Sequence, residues 1–186
     1  MGGYNVPTSK LYSNVSMGPG TFAIGVAGTT PTEDMGAIME DSITIDLVDE
    51  KHDISQGNPR ITWKRFSIAQ GFNLNLSLLE HRWSSNLAYA VGAAITTDTA
   101  SEETFAWGGQ PINNEIAVLM THQMATSGNT LLTKCWRMTS ANGFAVPFTQ
   151  TPHEFAVSLS ALCEETDWAG GTLPIGARLV GVERIK

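Results

Sequence analysis

Apolar residues recur at every second position in one short stretch after another, and turn residues separate the stretches. In residues 42–48 (SITIDLV), Ile43, Ile45 and Leu47 point one way and Ser42, Thr44 and Asp46 the other. A period of two is the mark of a half-buried strand. It recurs as Phe22, Ile24 and Val26, as Phe72, Leu74 and Leu76 after ITWKRFSI, and as Ile116, Val118 and Met120. Residues 131–138 have β character. Further alternations are Phe144, Val146 and Phe148, then Phe155, Val157, Leu159 and Ala161, then Ile175, Ala177 and Leu179. Gly18-Pro19-Gly20, Ser127-Gly128-Asn129, Asn142-Gly143 and Gly170-Gly171 supply turn chemistry between them. Such a chain folds as a mostly β structure, a sandwich or barrel of antiparallel strands.

One stretch departs from that period. Ser77-Leu78-Leu79-Glu80 reads as a capping box, with the serine oxygen accepting from the third backbone N–H. Leu79, Trp83, Leu87 and Val91 follow at four-residue spacing as one apolar stripe, and Gly92 suits a left-handed cap. The spacing predicts one short flanking α-helix over about 77–91, with Leu79 and Trp83 in its buried face.

A length of 186 residues fits one domain able to bury its own core. Residues 1–16 are polar and without period, an arm expected to order only against a neighbour. The domain is then 17–186. It carries a long polar loop at 49–60, which joins strand 42–48 to strand 61–76, and a C-terminal segment.

Charged residues make up 16% of the chain, against a usual quarter. A surface so poor in charge is expected to be covered by other copies of itself. The net charge of −7 repels phosphate, so tight nucleic-acid binding is not expected. Eight acids fall in residues 33–53, where Lys51 is the only base. Such a run is a solvated face, or a wall that keeps DNA from sticking.

Reactive chemistry is not evident. His52, His81, His122 and His153 are far apart, with no metal-ligand spacing. Neither a G-x-S-x-G elbow nor a phosphate loop is present. Adjacent carboxylates such as Glu102-Glu103 would point to opposite faces of a strand. No catalytic residue, cofactor or metal is therefore assigned. Cys135 and Cys163 read as two buried thiols, with a disulfide as the alternative. Trp107 and Trp168, each near a Gly-Gly pair, could stack sugars or bury against a neighbouring subunit. No stretch has the apolar length of a secretion signal or a membrane span.

The order of features resembles a family. VSMGPGTFAIGVAGTTP is similar to the opening of the major tail proteins (tail tube proteins) of siphophages. GAIMEDSITIDLVDEKHDISQGNPRITWKRF resembles their strand, acidic loop and returning strand. GFNLNLSLLEHRWSSNLAYAVGA resembles their strand-to-helix junction, and CWRMTSANGFAVPFTQTPHEFAVSLSALCEE their paired final strands. The likeness covers most of residues 15–165, and 93–115 match least. It implies a structural virion protein, not an enzyme. Such proteins form hexameric rings that stack into the tube for DNA ejection. The implied partners are copies of itself, a tape measure protein, a tail terminator and a baseplate or tip. Double-stranded DNA passes through without tight binding, and no membrane is involved. The implied place is the virion tail, assembled in the host bacterial cytoplasm.

Carried onto this chain, the inter-ring contact loop would contain Asp49, Glu50, Lys51, His52, Asp53, Gln56, Asn58 and Arg60. Asp46 and Lys64 would face the lumen, on strands 42–48 and 61–70. The competing readings are a tail terminator, a capsid decoration protein or a carbohydrate-binding module.

Overall fold

The computed structural model describes residues 20–39, 42–57, 59–79, 88, 91, 93–99, 101–107, 114–123, 129–141 and 154–185. Ten strands form: β1 (Thr21–Val26), β2 (Glu33–Asp34), β3 (Thr44–Gln56), β4 (Ile61–Leu78) and β5 (Ala93–Thr99). They continue with β6 (Glu102–Trp107), β7 (Ile116–Gln123), β8 (Thr130–Ser140), β9 (Phe155–Ala161) and β10 (Gly181–Ile185). The fold is mostly β, and all pairings between these strands are antiparallel.

Eight strands make one sheet in the order β2-β1-β7-β8-β9-β4-β3, with β10 beside β8. The sheet's margins meet. Residues 33–34 pair with β1, and a few residues on, Ile38 bridges to Leu78 at the end of β4. Met39 N–H donates to the Ser77 carbonyl and Leu79 N–H to the Ala37 carbonyl, each at 2.9 Å. The strip 33–39 thus ties β1 to β4 and curls the sheet into a barrel, which removes two free edges.

Alternation fills the barrel. Phe72, Leu74, Leu76 and Leu78 point inward from β4 and meet Phe155, Val157 and Leu159 of β9. Phe22, Ile24, Ile116, Val118 and Met138 close the core from the other side. On the outward face the same strands carry uncharged polar rungs. Ser158 Oγ lies 2.6 Å from Asn75 Oδ1, and Ser160 Oγ lies 2.7 Å from Asn73 Oδ1, each donating across its register pair. Gly20 needs its left-handed φ of 72° and its missing side chain, since a Cβ there would stand 2.1 Å from the Thr121 carbonyl oxygen.

Four expectations change. The β period does not stop at Leu76: Ser77 and Leu78 belong to β4, so Ser77 opens no helix there. Leu78 is fully buried, whereas Leu79, expected in a buried stripe, is 40% exposed. Ala88 is helical and buried, and Val91 is buried as expected. The rest of the helix, with Trp83 and Leu87, lies outside the described residues. So do residues 1–16 and the alternation at Phe144, Val146 and Phe148.

Residues 93–107, within the stretch that matches the family least, form the two-stranded sheet β5–β6. The alternation Ile175, Ala177 and Leu179 is not a strand. A 3-10 turn occupies Ile175–Ala177, and the last strand is β10. Trp136 holds this region: its indole N–H donates to the Ala177 carbonyl at 2.8 Å, and its ring fills the space of a side chain at Gly181. Finally, the thiols are free and unlike. Cys135 is buried, which pushes its pKa up to about 12, while Cys163 is exposed.

Two outcomes follow from this packing. Leu78→Ala should destabilise the protein by about 2–5 kcal/mol in urea denaturation, the range for an emptied core leucine. Leu79→Ala should cost below about 1 kcal/mol. A thiol reagent at pH 8 should label Cys163 alone, and Cys135 only after denaturant is added.

Candidate functional site

β4 pairs with β9 only over 73–78, while its partner β3 follows it well beyond the barrel. The result is a two-stranded arm. Every residue of β3 and every residue of β4 from 61 to 70 is exposed. At about 3.3 Å per residue, the thirteen residues of β3 extend roughly 40 Å.

The expected loop at 49–60 is therefore a correction. Asp49, Glu50, Lys51, His52, Asp53 and Gln56 are strand residues, paired in register with 61–70. Among the described residues Gly57, Pro59 and Arg60 are in turn conformation, with Gly57 at a φ of 95°. Asn58 lies outside the described residues. The polar sequence obscured the strand because a ribbon wetted on both faces has no need of an apolar side. Strand 42–48 pairs antiparallel with strand 61–76 as expected, Thr44 to Val48 lying against residues 71–75.

Register sorts the arm's side chains. Both irregularities put the extra residue on β4: Glu50 pairs Ala69 while Lys51 pairs Ser67, and Ile54 pairs Lys64 while Ser55 pairs Thr62. Ile68 and Trp63 are thus bulged, which bends and twists the ribbon. β3 itself alternates without interruption. Asp46 and Ile54 share a face, and Lys64 stands opposite Ile54. Asp46 and Lys64 are accordingly on one face, with His52 and Phe66 between them.

The charges are matched within the arm. From 44 to 70 there are four acids (Asp46, Asp49, Glu50, Asp53) and four bases (Lys51, Arg60, Lys64, Arg65), so the −7 of the chain lies elsewhere. Arg65 grips Asp53 with two bonds, Nε to Oδ1 at 2.5 Å and Nη2 to Oδ2 at 2.8 Å. Lys51 Nζ stands 3.1 Å from Asp49. Lys64 Nζ lies 4.8 Å from the centroid of the Phe66 ring. The acids of 33–53 do not form one wall: Glu33 and Asp34 sit on β2, against β1.

Among these charges stand large apolar side chains that nothing covers. Leu47 is 74% exposed, Trp63 73%, Ile61 67% and Ile68 58%, with Ile45, Val48, Ile54 and Phe66 between 40% and 49%. Eight such side chains on one ribbon exceed what isolated surfaces show by chance. Sequence reasoning missed this feature, although Trp63, Phe66 and Ile68 stand together beside the bases that were singled out.

The tryptophans give a different result. Trp168 packs edge-on against Trp136, with ring centroids 4.9 Å apart at 65°. Its indole nitrogen is buried in the fold. The side chain of Trp107 lies outside the described residues. Among the described residues no three His, Cys, Asp or Glu side chains gather as a metal site, and no helix is long and apolar enough to cross a membrane.

Hydrogen bonding from Arg65 holds the Asp53 carboxyl below its ordinary value of 3.8, and bonds from Ser67 and Lys51 do the same for Asp49. A lowered carboxylate stabilises the paired arm above the ordinary value, and that support is lost as pH falls through the lowered one. In a dilute sample, carboxyl-carbon NMR should show Asp53 titrating below 3.8, and Arg65→Met should return it toward that value.

Neither models of known protein families nor curated protein sequences match this chain.

Proposed function

We propose that the protein is a self-assembling structural subunit of the siphophage tail tube type, in which arms from successive copies join around a channel for DNA ejection. The observation that carries this reading is the exposed arm. Among the described residues no strand pairs either of its margins: β3 on one side, and β4 from 61 to 72 on the other. An open strand margin pairs with another strand when one is offered. Here each copy offers both a left and a right margin, so contacts run head to tail. Such contacts close into a ring when the rotation fits.

Charge balance favours the same arrangement. Crowding many like arms around an axis would be opposed by repulsion if each were strongly charged. An arm with four acids and four bases avoids that penalty, and the apolar side chains gain cover from their neighbours. The family likeness adds hexameric rings stacked into a tube, in a virion tail. Neighbours at the tube's ends would be a tape measure protein, a terminator and a baseplate or tip. Trp168, named in the carbohydrate-binding reading, is half-buried and packs edge-on against Trp136.

Purified protein concentrated at neutral pH should form rings or tubes visible by negative-stain electron microscopy. A monomer at every concentration in sedimentation, with no rings, would refute the reading. Trp63→Glu should leave thermal unfolding nearly unchanged, within about 0.5 kcal/mol for an exposed site. It should raise the concentration needed for assembly at least tenfold.

A further inference from the structure

The arm's inner margin has a second possible seat, on the subunit itself. β8 is longer than either strand on that flank. Its residues 138–140 pair with β9, and its residues 130–134 pair with β10. β9 and β10 therefore occupy one column of the sheet, end to end and in the same direction. The far side of β9 is taken by β4 over 73–78. The far side of β10 is taken by no strand among the described residues.

β4 does not end where β9 ends. Asn73 pairs with Ser160, near the last residue of β9, and β4 runs on from there through 72 to 61. That direction leads alongside β10. Since β4 is antiparallel to β9, it is antiparallel to β10 as well. Counting along the register and allowing for the bulges, Ser67 stands beside Val182 and Phe66 beside Glu183 in a flattened sheet. Instead the arm peels away, and an open cleft of about 240 Å³ separates its root from the segment before β10. Leu47 and Phe72 line one lip, Ile175 and Leu179 the other.

Both lips carry apolar side chains. Val182 is 64% exposed and Ile185 50%, facing a margin that carries Phe66 and Ile68. Glu183 is already bonded by Lys134, and the same register sets Arg184 beside Arg65, so closure draws on backbone and apolar contacts and not on charge. Closing the cleft would give each margin the backbone partners it lacks.

We propose that the arm is a strap with two exclusive seats: from the open position it can close onto β10 while the subunit is free, and it is released to join like arms in the assembly. The second seat rests on the tube reading above, while the first stands on the sheet topology alone. A closed strap masks the inner margin, so free subunits resist pairing at random until a growing ring supplies a better partner.

The test is an intramolecular cross-link in the full chain, made with Cys163→Ser so that no other exposed thiol interferes. Two double variants are oxidised at dilution, Ser67→Cys with Val182→Cys and Phe66→Cys with Glu183→Cys. The expected result is an internal disulfide in at least one, read by mass spectrometry, giving a monomer that fails to assemble until reductant is added. Absence of the disulfide in both variants overturns the closed seat. A cross-linked protein that still assembles overturns the exclusivity. If the Cys163→Ser parent never assembles, the tube reading falls, and disulfide formation still decides whether the strap closes.

Discussion

Backbone N–H and C=O groups along a strand margin must bond to something, and that requirement divides this molecule in two. In the barrel it is met internally. The strip 33–39 reaches from β1 to the end of β4 and joins the two margins with ordinary backbone bonds. In the arm it is met on one side of each strand only. Each strand of the ribbon satisfies its partner and leaves the opposite row facing water. The two regions share a single strand, β4, whose burial changes from complete exposure to strict alternation at Gly71.

That change within one strand locates the energetics. From Phe72 to Leu78 each inward side chain is removed from water, worth about 1.5–3 kcal/mol apiece. From Ile61 to Gln70 no side chain gains that term. An isolated hairpin is marginal in water. The arm is therefore held by cross-strand bonds, by the Arg65–Asp53 fork and by its continuity with a strand anchored in the core. Exposed ion pairs of this kind contribute little. Their larger effect is to cancel charge along the arm.

The sequence made the barrel legible because burial on one face imposes a period of two. β9 and β7 fall where alternation puts them, and so does the inward set of β4 up to Leu76. Two residues more, at Ser77 and Leu78, the same period was overridden by a good capping pattern. A capping box is a local signal, and the register with Phe155 and Ala156 is a tertiary one that outweighs it. The arm was illegible for the opposite reason. DEKHDISQ has no apolar side because neither face is buried in the subunit, so a strand looked like a loop. Of the candidate contact residues, Asp49, Glu50, Lys51, His52, Asp53, Gln56 and Arg60 lie on this arm.

A polar sequence held as a strand is informative about what surrounds it. Chains seldom leave a long, twisted ribbon with eight exposed large apolar side chains uncovered. Charged side chains and bulges are the usual defences of an open margin, and this arm has both: Lys51, Lys64 and Arg65, and the bulges at Ile68 and Trp63. They limit pairing with arbitrary strands without preventing it with a copy bent in the same way. In the proposed tube the unbulged β3 of one copy would lie beside the bulged β4 of the next, so the heights of the bulges would select the register in which the two fit. On that proposal, the same irregularities that make the arm a poor partner for strangers would set the one register in which it accepts its own kind.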